Sequence, residues 1–273
     1  MNTSLSALLP LINDQYGNNR FAIDVGAHHG EFSRHLLQTG FFEKVLAFEP
    51  NFESYSAIQS VISSFPSCAF EVVNAALSSE SGSLDLYFDG DTATASLLQY
   101  DRNYLSRGEI RKYTVSTFTL DEYLDNNANY GRLQFLKIDT QGNDLAVING
   151  AMRSIAQHRP ILQVEFIYIP LYEDQCTPDD ITAVLTLLEY KMYSLNNLHV
   201  TSEGRLAFCD ALFIPKELSV PRTQTFSCID DQISFQSQIQ TLTEICAERL
   251  TVINVLDAEV QRLNGIVMLK ASQ

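Results

Sequence analysis

The chain has 273 residues, 45% hydrophobic and 19% charged, enough apolar content to bury one large core with an appendage and too much for a disordered chain. A net charge of −15 and a pI near 4.6 repel a phosphate backbone, which excludes nucleic acid as an expected substrate. Five cysteines, odd in number and without C-x-x-C spacing, favour neither a disulfide framework nor a zinc site and suit a reducing, cytoplasmic setting.

Residues 1–19 form an N-terminal segment without a basic leader, and its apolar run Leu8–Ile12 is too short to span a membrane. The first informative stretch follows. Phe21-Ala22-Ile23 reads as a buried strand running into Asp24-Val25-Gly26-Ala27-His28-His29-Gly30, after which Glu31 to Gln38 reads as a helix stopped at Thr39-Gly40. Glycine belongs where the chain reverses and a ligand touches bare backbone. The spacing differs from G-x-G-x-x-G, so a dinucleotide-dependent oxidoreductase is the disfavoured alternative. A second strand, Val45 to Phe48, ends in Glu49-Pro50-Asn51, about 25 residues after Asp24, where an acid commonly holds ribose hydroxyls. Together Asp24 and Glu49 describe a pocket for an aminated, ribose-bearing molecule, and S-adenosylmethionine fits: ribose on Glu49, α-ammonium near Asp24, carboxylate on the loop amides.

A helix over 52–64 leads to the strand Phe70 to Asn74, whose exit through Asn74, Ala75 and Ala76 leaves room for a ligand, with Phe52 as a candidate aromatic face. Ser83 to Phe88 and Lys112 to Thr117 alternate apolar and polar residues, the mark of half-exposed antiparallel strands, and are expected to form an inserted β-hairpin cover. The polar loop between them, Asp89 to Ser96, has the make-up of a substrate-contacting segment.

The strongest chemistry candidate is the strand Leu133 to Ile138, which delivers Asp139 to the crevice at the strands' carboxyl ends. Asp139 can orient an acceptor hydroxyl, act as general base, bind a cation with Asp144 or Glu165, or cap the following helix. Lys137 pairs with Asp139 or Glu165, or reaches solvent. The strand Ile161 to Val164 places Glu165 at its end as a second acceptor-side candidate. No His-x-x-x-His or tight carboxylate cluster points to a metal, and none is expected. Thr177-Pro178 opens a helix over 179–189, which feeds the strand Lys191 to Leu195; Asn196-Asn197 is expected to turn the chain into a last strand, Phe208 to Ile214.

In this order, Asp24-Val-Gly-Ala through Gly30, Phe48-Glu49-Pro50, Asn74-Ala-Ala-Leu-Ser78, Ser96-Leu97, Leu136 through Asp144, and Val164-Glu165 resemble the signature of FkbM-type S-adenosylmethionine-dependent methyltransferases. The resemblance covers roughly residues 18 to 216, within a methyltransferase domain placed at 20–216. It implies a Rossmann-like class I methyltransferase: an α/β fold with a doubly wound, mostly parallel seven-stranded sheet closed by reversed strands. It implies S-adenosylmethionine bound by Asp24, Gly26, Ala27, His28, Gly30, Glu49, Pro50, Asn74, Ala75, Ala76 and Asp139, with Asp139 and Glu165 as catalytic candidates. The implied acceptor is a small-molecule or glycan hydroxyl, with N-methylation or a non-catalytic scaffold as alternatives. The family commonly has Glu at the positions of Gln141 and Asp144, beside the acceptor pocket.

After a linker at 217–230, residues 231–268 carry a heptad pattern. One seam position holds Gln232, Ile239, Cys246, Ile253, Val260 and Val267, and the other Phe235, Leu242, Arg249, Leu256 and Leu263. Such a seam predicts a C-terminal coiled-coil helix and a parallel homodimer, with a helix folded back against its own body, or docked to a glycan-biosynthesis partner, as the alternatives.

Overall fold

The computed structural model describes residues 20–66, 68–104, 108–127 and 130–218. By its internal contacts the chain divides into a unit spanning 1–220 and a unit spanning 221–273. The N-terminal segment 1–19, nearly all of the linker and the whole coiled-coil stretch lie outside the described residues.

The elements follow in chain order. β1 (Phe21–Val25), α1 (Glu31–Gln38), β2 (Lys44–Phe48), α2 (Phe52–Ile62) and β3 (Phe70–Val73) make up the first half. β4 (Ala76–Leu77), β5 (Gly82–Phe88), a 3-10 turn (Thr92–Thr94) and β6 (Arg111–Phe118) follow, then α3 (Leu120–Asn126). β7 (Leu133–Ile138), α4 (Asp144–Asn149), α5 (Met152–His158), β8 (Ile161–Ile167), α6 (Pro178–Leu187), β9 (Tyr190–Val200) and β10 (Leu206–Pro215) complete it. Local chemistry sets several boundaries. The Asn51 side chain caps α2 by accepting from Glu53 and Ser54 amides, and Thr177 and Asp180 form a reciprocal capping box at α6, whose first residue is Pro178.

The main sheet has the order β3-β2-β1-β7-β8-β10-β9, with the first five strands parallel. The chain steps outward from β1 to β3 and then returns to β7 on β1's other side, so the order reverses between β1 and β7. That switch point is where open α/β sheets bind ligands. Reversal is confined to β10, which runs antiparallel to both β8 and β9; the expected pair of reversed strands is one strand. Asn196-Asn197 does not turn the chain but lies inside β9, where Asn197 at φ 49° accommodates an irregularity in the pairing. β8 is longer than its apolar run suggested, so Glu165 sits within it rather than at its end.

Alternation along the strands divides the core into two layers. Phe21, Ile23, Val25, Leu136 and Ile138 pack on the face covered by α3 to α6, while Ala22, Val45, Ala47 and Phe135 pack with Leu36 of α1 and Ile58 of α2. Asp24 and Lys137 share the parity of the second set and are register partners across β1 and β7. A separate three-stranded sheet has the order β4-β6-β5, with β5 and β6 antiparallel in unbroken register from Gly82–Thr117 to Phe88–Arg111.

Candidate active site

The tips of β1 and β7 touch. Gly26 has φ 75°, and a Cβ there would lie 1.9 Å from the Asp139 carbonyl oxygen. The Asp139 amide donates to the Val25 carbonyl at 3.1 Å, and the Gly26 and Ala27 amides both donate to the Phe48 carbonyl at the tip of β2. Only glycine satisfies both the left-handed conformation and this approach. The Glu49 carboxylate completes the knot: Oε2 accepts from the His28 amide at 2.6 Å and Oε1 from the Asn51 amide at 2.8 Å. Burial pushes the Glu49 carboxyl up to about 7, although those two amides pull it down.

Beside these tips lies a cavity of about 240 Å³. Glu49, Asp139, Thr140 and Gln141 line its polar side, while Phe48, Ala76, Leu86 and Leu97 contribute an apolar wall. The segment after β5 also borders it, through Thr92, Ala93, Ala95 and Leu97. His28 Nε2 lies 2.8 Å from Thr92 Oγ1, the Ser96 hydroxyl donates to the Gln141 carbonyl at 2.7 Å, and the buried Tyr172 hydroxyl sits 3.0 Å from the Thr94 carbonyl and 2.9 Å from Gln141 Oε1. Burial, and next the neighbouring His29, lower the His28 pKa, so its ring is neutral at pH 7.

Asp139 is the centre of the charged cluster. Lys137 Nζ lies 3.0 Å from its Oδ2 and 3.5 Å from Oδ1 of the fully buried Asp24. Gln141, held at φ 55°, uses one amide nitrogen for two carboxyls, donating to Asp139 at 3.1 Å and to Glu165 at 2.9 Å. Burial acts to raise the Asp139 pKa, but the Lys137 charge and the donors from Lys137, Gln141 and Glu165 outweigh it, and the net shift is downward. Glu165 moves the other way. Burial, the Asp139 charge and then the Asp144 charge raise it well above the usual carboxylate range. The two carboxyls therefore titrate as a pair, in which the environment favours charge on Asp139 and the proton on Glu165. Burial opposes the charge on Lys137, yet the Asp139 and Asp24 carboxylates outweigh it and keep the lysine protonated.

Of the residues expected at a cofactor, Gly26, His28, Glu49, Pro50, Ala76 and Asp139 line this cavity. Others support it from behind. Asp24 is enclosed on the α1 face, where the Ser33 hydroxyl donates to it at 2.6 Å and Lys137 Nζ lies 3.5 Å from its Oδ1. Gly30, at φ 76°, starts α1 with Ile58 3.3 Å from where its Cβ would stand. The Asn74 side chain donates to the Glu49 and Pro50 carbonyls, and Ala75 is buried beside it. Phe52, 64% exposed, lies outside the lining of the cavity and offers no aromatic face to it. Glu165 meets the site through Gln141 and Asp139. Leu86 and Thr140 join the lining without having been singled out by the sequence, although the alternation along β5 selects Leu86; Tyr172 belongs to the loop 168–176, where the sequence places acceptor-choosing residues.

A second cavity, about 580 Å³ and more open, adjoins the first. Gly26, His28 and Asp139 line both. Its other walls come from α1 and from Lys137, Gln163, Asn197 and Asp210. Ala27 faces this cavity rather than the first. Among the described residues no group of three or more His, Cys, Asp or Glu side chains is placed to hold a metal ion, and no helix is long and apolar enough to cross a membrane.

A family model described as the methyltransferase FkbM domain matches residues 24–195, more than half of the chain. Among solved structures, a methyltransferase FkbM from Methylobacillus flagellatus is similar at 17% identity and a TM-score of 0.45, over 70% of this chain and 42% of that one. The chain therefore spans less than half the length of that relative. A Streptococcus agalactiae protein of the NADB-Rossmann superfamily is similar at 14% identity and TM-score 0.42, over 81% of this chain and 73% of that one. WbdD, in complex with a kinase inhibitor, is similar at 12% identity and TM-score 0.48, over 82% and 42%. No curated protein matches the sequence.

Proposed function

This chain belongs to the FkbM methyltransferase family, and from that premise we propose that it moves the methyl group of S-adenosylmethionine onto a hydroxyl of a sugar, a glycan or a secondary metabolite. The observation that carries the reading is one cavity with Glu49 and Asp139 on its polar side and an apolar wall from Phe48, Ala76, Leu86 and Leu97. Glu49 has both oxygens engaged by backbone amides yet keeps outward lone pairs, the acceptors a pair of ribose hydroxyls needs. The apolar wall suits a purine, and Leu86 on β5 supports reading the β5–β6 pair as a cover over it.

The cofactor, when bound, supplies a methyl group already activated on a sulfonium, so the chain's task is alignment and proton handling. Asp139, kept ionised by Lys137, accepts a hydrogen bond from the acceptor hydroxyl and so points an oxygen lone pair at the methyl carbon. On methylation the acceptor oxygen would become strongly acidic, so even the Asp139 carboxylate, whose basicity Lys137 lowers, would be sufficient to take its proton. Glu165, already protonated, and the Gln141 amide fix the Asp139 carboxylate in one orientation. Asp24 acts at one remove by holding Lys137.

The heptads of residues 231–268 support a homodimer formed through the tail, and the scattered cysteines support a cytoplasmic location. Titration calorimetry with S-adenosylhomocysteine tests the central reading. The wild type is expected to bind, Glu49→Ala to bind at least about ten-fold more weakly, and Asp139→Asn to bind normally while losing turnover on a panel of hydroxylated acceptors. A wild-type protein that does not bind S-adenosylhomocysteine overturns the proposal.

A further inference from the structure

Gln163 is 3% exposed and lies in β8 with its side chain on the second cavity. Its amide sits near the Asp210 carboxyl and acts to lower its pKa, as a donor does. The amide oxygen, Oε1, is buried with no hydrogen-bond partner among the described residues. A buried carbonyl oxygen left bare costs roughly 1–3 kcal/mol, and only a donor can relieve it. On the opposite wall, His35 Nε2 is likewise buried without a partner among the described residues.

The charges around this cavity select the kind of donor. Glu31, Asp139 and Asp210 are carboxylates in its lining, and the lining ammonium, Lys137, is already held between Asp24 and Asp139. Asp210 is raised by burial, and Asn197 is its neutral partner at 2.6 Å. An anionic ligand is repelled here, while a primary ammonium brings three donors and a positive charge to Gln163 Oε1 and the Asp210 carboxylate. The register places Asp139, Glu165 and Asp210 in one row across β7, β8 and β10. Two strand spacings put the outer backbones roughly 10 Å apart, a gap that side chains narrow to the span of a hexose.

We propose that the second cavity is the acceptor site and that it recognises a hydroxylated primary amine of amino-sugar size, with the ammonium on Gln163 and Asp210 and the reacting hydroxyl on Asp139. This rests on the cofactor reading above, because Gly26, His28 and Asp139 join the two cavities.

The test is calorimetry on the full chain saturated with S-adenosylhomocysteine, titrated at pH 7 with glucosamine and, separately, with glucose. Glucosamine is expected to bind at least about ten-fold more tightly than glucose, the scale of one charge-assisted hydrogen bond. Asp210→Asn should bring glucosamine to the level of glucose and leave S-adenosylhomocysteine affinity within about two-fold. Equal binding of the two sugars, binding of neither, or unchanged glucosamine affinity in Asp210→Asn overturns the proposal. A folded Asp210→Asn protein that loses S-adenosylhomocysteine gives the cavity to the cofactor and also overturns it. Should that variant not fold, Gln163→Glu decides, with tighter glucosamine binding expected and unchanged binding refuting. Failure of the wild type to take up S-adenosylhomocysteine is a different result and refutes the cofactor reading instead.

Discussion

Replacing Gly26 with alanine tests whether the contact between the β1 and β7 tips holds the site together. The new methyl would stand 1.9 Å from the Asp139 carbonyl oxygen, a backbone atom that cannot swing away. Relief to an ordinary contact needs the two strand ends to part by about 1.5 Å, an overpacking cost of about 1–3 kcal/mol. The left-handed backbone at φ 75° adds about 1–2 kcal/mol for a residue with a Cβ. Together they come to about 3 kcal/mol, which in a domain of this size lowers the melting temperature by about 6–12 °C. Gly40→Ala is the internal control. Gly40 is also left-handed, at φ 68°, but nothing stands within 4 Å of the added carbon, so it carries the backbone strain without the collision. Differential scanning fluorimetry on both variants separates the two contributions, and S-adenosylhomocysteine titration reports whether the parted tips still bind. If Gly26→Ala melts no lower than Gly40→Ala, the argument from close approach is wrong.

Tyr172→Phe removes the hydroxyl set between the Thr94 carbonyl and Gln141 Oε1; a loss of about 1–2 kcal/mol and faster hydrogen exchange across residues 89–104 are expected, and unaltered exchange would count against a closed cover. Stability of the ligand-free protein should fall as pH rises from 4.5 to 7. Glu49 binds its proton more tightly folded, at about 7, than at its ordinary 4.5, so its contribution is complete below 4.5 and is lost through 7, amounting to at most about 3 kcal/mol. Urea unfolding at several pH values should show a shallower fall in Glu49→Gln than in wild type; parallel curves would remove Glu49 as the source. Deleting residues 231–273 should leave S-adenosylhomocysteine affinity unchanged and lower the mass in solution, as light scattering can show, whereas an unchanged mass argues against tail-mediated pairing.

The parallel strands were readable because each is a short apolar run ending in an acid or a small residue, and β7 was legible to the residue. Their ends also point to Glu49 and Asp139, which the structure brings together in the lining of one cavity. Which way Asp24 faces was not legible for a reason of parity: a strand's alternation tells that neighbours face apart, not which face lies under a helix, and α1 covers the face Asp24 is on. Phe52 is exposed because a residue in the first turn of a helix can point outward as readily as in. The role of Gln141 was visible only as an unusual residue at its position. Its partner Tyr172 comes from a loop 31 residues on, and no local pattern announces such a contact. The second cavity depends on Asn197 and Asp210, from strands whose bends and pairing irregularities leave little trace in hydropathy.

Glu49 fastens the loop after β1 to the tip of β2 with the same two oxygens that would read a sugar ring. Any recognition of a ribose at this residue would therefore be tied to scaffolding. A lineage that replaced Glu49 would have to rebuild the bend between the two strand tips first, which makes position 49 a ratchet against change.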